Sequence, residues 1–120
     1  MIWRAEPKID NLTYVYHIIH KITVEKTDIF LDWLRSLRDV RAMVRIQIRI
    51  DRLALGNAGD VNSVGEGVSE LRVDYGPGYR VYYAQRGKVL VVLLCGGDKR
   101  TQSSDIKMAK KLAKEFRHGT

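Results

Sequence analysis

Read from the N-terminus, the hydrophobic pattern of this chain changes period three times. The segment "LTYVYHIIHKITVEK" (12–26) is rich in β-branched and aromatic residues and predicts a strand, or two short ones. In "TDIFLDWLRSL" the spacing of Ile29, Phe30, Trp33, Leu34 and Leu37 becomes helical, with Thr27 placed as cap and Asp28 at the positive end of the dipole. A second helix is predicted over 40–55, with Val40, Met43, Ile46, Ile50 and Leu53 as its apolar stripe and Gly56 as its terminator, so that the two helices form a hairpin. The Gly- and Asn-rich run "GNAGDVNSVGEG" (56–67) is predicted to be a loop.

Period-two alternation follows. Strands are predicted at 68–74, 79–85 and 89–95, joined by the short turns "YGPG" and "RGK" into an antiparallel meander. Alternation sets Leu71, Val73, Val81 and Tyr83 on one face and Glu70, Arg72, Arg80 and Tyr82 on the other, expected to be the open side of the sheet. The last strand, "VLVVLLC", is apolar on both faces, which suits a central strand that also pairs with the N-terminal one. A final helix over 105–116 turns Ile106, Ala109, Leu112, Ala113 and Phe116 inward and Lys107, Lys110, Lys111, Lys114 and Arg117 outward. The fold class is therefore α+β: an N-terminal strand, a helical hairpin, a three-stranded antiparallel meander and a C-terminal helix.

Length and charge narrow the function. A chain of 120 residues makes one domain, and 21 Lys and Arg against 14 Asp and Glu give a net charge of +7, which favours a polyanion or an acidic protein as partner. Arg41, Arg45, Arg49 and Arg52, spaced four, four and three apart, align as a basic ridge on the second helix. Such a ridge is either an ordinary solvated face whose arginines lie over the core, or a binding surface for RNA or an acidic partner that relieves their mutual repulsion. Cys95, the single cysteine, has no disulfide or zinc partner and reads as core packing in a reducing cytosol. No apolar run approaches the roughly 20 residues of a membrane span, and the N-terminus lacks the order of a signal peptide, so a cytoplasmic protein is expected.

No nucleotide-binding glycine motif and no metal-ligand spacing is present, and no cofactor or metal is called for. His17, His20 and His118 lie near the termini and are assigned no role. The remaining candidate chemistry is a patch of Arg72, Arg80 and Lys99, interleaved with Tyr75, Tyr79 and Tyr82. Guanidinium groups fork onto phosphate, tyrosines stack on unpaired bases, and preorganised cations stabilise the charge that builds on a phosphodiester under attack by its own 2′-hydroxyl. Arginine does not trade its proton at neutral pH, so acid and base must come from elsewhere. Tyr75, Tyr82, Glu70, Asp74, Asp98 and Lys99 are candidates that no spacing rule ranks. The competing explanation, of equal weight on patterning alone, pairs the strand arginines with Glu70, Asp74 and Asp98 as weak cross-strand ion pairs.

The phrases "EKTDIFLDWL", "RIDRLALGNAGDVNSVGEGVSELRVDYGPGYRVYY" and "VVLLCGGDKRTQSSDI", in that order over 22–116, resemble the RelE/ParE superfamily of toxins from type II toxin–antitoxin modules, and most closely its HigB-like addiction module killer group. The resemblance implies a RelE-like compact fold and a ribosome-dependent mRNA endonuclease that cuts translated mRNA in the A site. It implies that Arg80 contacts the scissile phosphate, with Arg72 and Lys99 as further cations. Asp105 stands where the best-studied toxins carry a tyrosine, and the HigB-type histidine is not evident, which leaves Tyr75 or Tyr82 as stand-ins. Implied partners are the ribosome, mRNA and a cognate antitoxin, HigA-like with a helix-turn-helix domain, through which alone operator DNA is met. Two other outcomes fit the superfamily: a non-catalytic ParE-like inhibitor of DNA gyrase, or a degenerate toxin acting as co-repressor. Residues 1–20 fall outside the resemblance and form either an extra strand or translated upstream sequence, leaving 21–120 as the toxin domain.

Overall fold

The computed structural model describes residues 22–119, and side chains as far as Phe116. The predicted N-terminal strand is described only as β1, Thr23–Lys26, and the expectations for 1–20 lie outside the described residues. Helices α1 (Asp28–Ser36) and α2 (Val40–Ala54) follow, then strands β2 (Val61–Gly65), β3 (Val68–Val73), β4 (Tyr79–Arg86) and β5 (Leu90–Asp98). A 3-10 turn, Lys99–Thr101, leads into α3, Gln102–Gly119.

The five strands lie in the order β1-β5-β4-β3-β2. β1 runs parallel to β5 and every other pair is antiparallel, so the apolar β5 lies inside the sheet between β1 and β4, with β4 as the middle strand. The hairpin α1–α2 covers one face, where Phe30, Ile46, Ile50 and Leu53 meet Leu71, Val81, Tyr83 and Leu93. The opposite face is covered by α3, whose Ala109 and Ala113 pack on Val68, Tyr82, Val92, Leu94 and Cys95. The architecture is thus a three-layer α+β sandwich.

Local chemistry fixes the two helices of the hairpin. Thr27 caps α1 by accepting from the Phe30 amide at 3.0 Å, and its hydroxyl donates to the Leu94 carbonyl at 2.6 Å, which ties the helix start to β5. Asp39 caps α2 by accepting from the amides of Arg41 (2.9 Å) and Ala42 (3.3 Å). Two glycines of "LLCGGDK" then let both layers approach the sheet backbone. A β-carbon on Gly96 would run into the Trp33 ring of α1, and one on Gly97 into the Asp105 carboxylate of α3.

Four sequence expectations need correction. First, the run 56–67 contains β2, an edge strand paired with β3, whose Gly, Asn and Ser content hides its strand character. A bulge between Ser63 and Gly65 and positive φ at Glu66 (55°) and Gly67 (79°) give the hairpin its tight turn. Second, the final helix starts at Gln102 rather than near 105, after the 3-10 turn. Third, Ile29 and Val40 are exposed rather than inward, and Ala42 takes the core position. Fourth, the face that bears Arg80 is not open: α3 packs on β5, β4 and β3 and buries Tyr82 and Glu70 beneath it.

Candidate active site

The paired strands β3 and β4 set Arg72 directly opposite Arg80, and Glu70 directly opposite Tyr82. Glu70 is the pivot. It is 2% exposed, and its Oε2 accepts from the Tyr82 hydroxyl at 2.9 Å and from Gln102 Nε2 of α3 at 2.8 Å. The same oxygen lies 3.4 Å from Arg80 Nε, an ion pair with 11% of the Arg80 side chain exposed. Arg80 Nη1 donates to the Gly78 carbonyl at 2.9 Å. Tyr82 and Gln102 therefore fix the Glu70 carboxylate, which in turn pairs with the Arg80 guanidinium.

Room for that guanidinium comes from glycine. Gly97 is the cross-strand partner of Arg80, so no β5 side chain stands beside it. Gly78, at φ 83°, has Arg80 Nη1 3.4 Å and Lys99 Cβ 3.9 Å from the place where a β-carbon would sit, which brings Lys99 to the same turn as Arg80. Arg72 pairs with Asp60 Oδ1 at 3.0 Å on the exposed side. The Nε groups of Arg72 and Arg80 are both buried without a hydrogen-bond partner. The Glu70 carboxylate nevertheless lies at ion-pair distance from Arg80 Nε, and Asp60 engages Arg72 through Nη2.

The predicted residues divide between the two faces of the sheet. Arg72, Arg80 and Tyr82 share the α3 side of the sheet, and Lys99 lies at the Gly78 turn. Tyr79 and Tyr75 do not join them: both pack on the hairpin side, Tyr79 edge-on to Trp33 with ring centroids 6.4 Å apart. The Tyr75 hydroxyl donates to Asp39 Oδ2 at 3.0 Å, and the Arg45 guanidinium lies 4.7 Å over its ring. Both tyrosines proposed for proton transfer donate to a carboxylate, Tyr82 to Glu70 and Tyr75 to Asp39. Burial and the bond to Glu70 push the Tyr82 hydroxyl far above the ordinary tyrosine range, and the bond to Asp39 raises that of Tyr75.

The ridge also divides. Arg41, Arg45 and Arg52 are exposed on α2, but Arg49 is drawn away to the carbonyls of Arg72 (2.5 Å), Ala58 (3.0 Å) and Asp60 (3.4 Å). It serves as a clamp on the backbone where α2 meets β3, and Gly59, at φ +74°, leaves space for it. Residues that sequence reasoning left unassigned complete the site. Gln102 gives no sequence signal, because only the packing of α3 brings it to Glu70. Asp105 was marked by its departure from the toxin pattern. Its carboxylate lies over Gly97, accepts from the Thr101 hydroxyl at 2.6 Å, and is raised above the ordinary carboxylate range chiefly by burial. Asp98, by contrast, is held below that range by Arg100. Among the described residues no group of three or more His, Cys, Asp or Glu side chains is placed to hold a metal ion, and no helix is long and apolar enough to cross a membrane.

The fold is that of a small α+β protein with Arg72 and Arg80 paired across β3 and β4. Residues 32–117 match the family described as phage-derived protein Gp49-like (DUF891), and the chain belongs to that family, which is RelE-like and toxin-like. It is also 53% identical over 95 residues to an uncharacterised protein of Haemophilus influenzae, an alignment that covers 79% of this chain and 96% of the relative. No solved structure matches the chain.

Proposed function

We propose that this chain is the toxin of a toxin–antitoxin module and that it cuts mRNA on the translating ribosome. The observation that carries the reading is the pair Arg72 and Arg80, directly opposite each other on β3 and β4, with Lys99 at the adjoining Gly78 turn. Arg80 is assigned to the scissile phosphate. Its guanidinium is held from behind by Glu70, so it meets charge on the phosphoryl oxygens without first having to be ordered. Arg72 and Lys99 contact flanking phosphates.

The reaction class is attack of a ribose 2′-oxygen on the adjacent phosphorus, with departure of the 5′-oxygen, to give a cyclic 2′,3′-phosphate and a 5′-hydroxyl. Asp105 is the proposed acceptor of the 2′-hydroxyl proton, since it sits over the residue that faces Arg80 and binds a proton more readily than an ordinary carboxylate. The departing oxygen takes its proton from solvent.

The test is primer-extension mapping of mRNA ends in a reconstituted translation reaction, with and without ribosomes. Cuts within A-site codons that need ribosomes and fail in Arg80→Ala support the reading. Intact mRNA with a folded protein overturns it and moves the question to gyrase supercoiling. Normal cleavage by Arg72→Ala/Arg80→Ala overturns the site assignment alone.

A further inference from the structure

Arg80 and Asp105, the two groups assigned to the reacting atoms, stand on different elements, β4 and α3. Chemistry between them needs a fixed separation. The start of α3 meets the sheet through its first residue: Gln102 Nε2 donates at 2.8 Å to Glu70 Oε2, the same oxygen that lies 3.4 Å from Arg80 Nε. One turn further on, Asp105 lies over Gly97, the cross-strand partner of Arg80. The chain just before Gln102 is fixed as well. The Thr101 hydroxyl accepts from the Asp98 amide at 3.4 Å and donates to Asp105 Oδ2 at 2.6 Å, so Gln102 and Asp105 belong to one braced segment. An amide suits the place that Gln102 takes. Glu70 Oε2 already accepts from the Tyr82 hydroxyl at 2.9 Å, and an amide adds a second donor without adding charge. It orients the carboxylate and leaves the negative charge to Arg80, where a Lys or Arg would compete for it.

We infer that Gln102 is a positioning residue: through Glu70 it sets where the Arg80 guanidinium stands relative to Asp105, and so governs the cleavage step rather than the affinity for RNA. This rests on the proposed function and adds the residue that couples the start of α3 to β3 and β4. Without the amide, Glu70 Oε2 keeps the Tyr82 hydroxyl alone as its neutral donor, the carboxylate turns more freely, and the guanidinium paired with it follows. A displacement of that size is felt in the transition state, where contact with the phosphoryl oxygens must be close.

The test is single-turnover cleavage of mRNA on programmed ribosomes by the wild-type chain, Gln102→Met, Arg80→Ala and the double variant. A range of protein concentrations separates the maximal rate from the half-saturating concentration. Methionine keeps the length of glutamine and removes the donor; circular dichroism and the urea midpoint verify folding, and Gln102→Ala takes its place if Gln102→Met unfolds. The maximal rate of Gln102→Met should fall at least about tenfold, with the half-saturating concentration changed by less than about twofold. Added to Arg80→Ala, the same substitution should cause no further loss, because the amide acts only through that guanidinium. An unchanged maximal rate, a loss confined to half-saturation, or losses that multiply in the double variant would overturn the inference and leave the proposed function standing. A wild-type chain that cuts no mRNA overturns both.

Discussion

Replacing Glu70 by Gln keeps the shape of the side chain and an oxygen to accept from Tyr82, but removes the negative charge that pairs with Arg80. The Glu70 oxygen accepts two hydrogen bonds of 2.9 and 2.8 Å and lies 3.4 Å from Arg80 Nε in a region where both residues are at most 9% exposed. Removing one partner of a buried ion pair leaves the other charge desolvated and costs about 3–5 kcal/mol, well above the 0–1 kcal/mol of an exposed pair. Since small domains lose about 1–3 kcal/mol per molar urea, the unfolding midpoint should fall by about 2 M. Trp33 fluorescence reports the transition. The reasoning predicts coupling as well: in Glu70→Gln/Arg80→Met no buried charge is left alone, so the double variant should recover at least about 2 kcal/mol relative to additive losses. Asp98→Asn, which breaks an ion pair whose Arg100 side chain is 81% exposed, supplies the contrast, although it also weakens a cap. A loss below about 1 kcal/mol for Glu70→Gln, with no coupling to Arg80, would refute the view that Glu70 anchors this guanidinium.

Three further outcomes follow from the same geometry. Gly96→Ala drives a methyl group into the Trp33 ring and should cost about 1–3 kcal/mol in urea unfolding, with Trp33→Leu relieving part of the loss; unchanged stability would contradict the packing. Burial pushes the Cys95 thiol up to about 12, so iodoacetamide at pH 8 should label it only through unfolding, at a rate that rises with urea; fast labelling of the native protein is the contrary result. Asp39 and Asp98 both titrate below their ordinary value, Asp39 chiefly through the Tyr75 hydroxyl and Asp98 chiefly through Arg100. Their folded pKa is depressed, so the stability they contribute is present above about pH 4 and is lost as pH falls through the folded values; Asp39→Asn and Asp98→Asn should flatten that acid limb.

Much of the fold is legible in the chain because local signals and packing agree. Thr27 announces a helix start and does cap it, and the doubly apolar "VLVVLLC" announces a strand inside the sheet. The illegible parts are those decided by long-range packing. The edge strand β2 is hidden in a run of Gly, Asn and Ser because it is held by pairing with β3 rather than by its own propensity. A period-two pattern assigns Arg80 to a face but does not say that α3 covers it, so Glu70 and Tyr82 read as solvated residues when they are buried partners. Arg49 looks like one arginine of four, and only the path of the chain at Ala58 and Asp60 turns it into a clamp. For the candidate site, Arg72, Arg80 and Lys99 were visible in the strand and turn motifs, whereas Gln102 was not, since nothing in its neighbourhood of sequence points to Glu70.

The central claim is that Arg80 meets the phosphate at which the RNA chain is cut. Its most direct test is the single-turnover cleavage rate of mRNA on a programmed ribosome by the wild-type chain, Arg80→Lys and Arg80→Ala, with folding verified for each. The account predicts cleavage by the wild type and a loss of at least about a hundredfold in Arg80→Ala, with Arg80→Lys between them, as expected when a preorganised charge contact in the transition state is removed. Equal rates in all three proteins would contradict it.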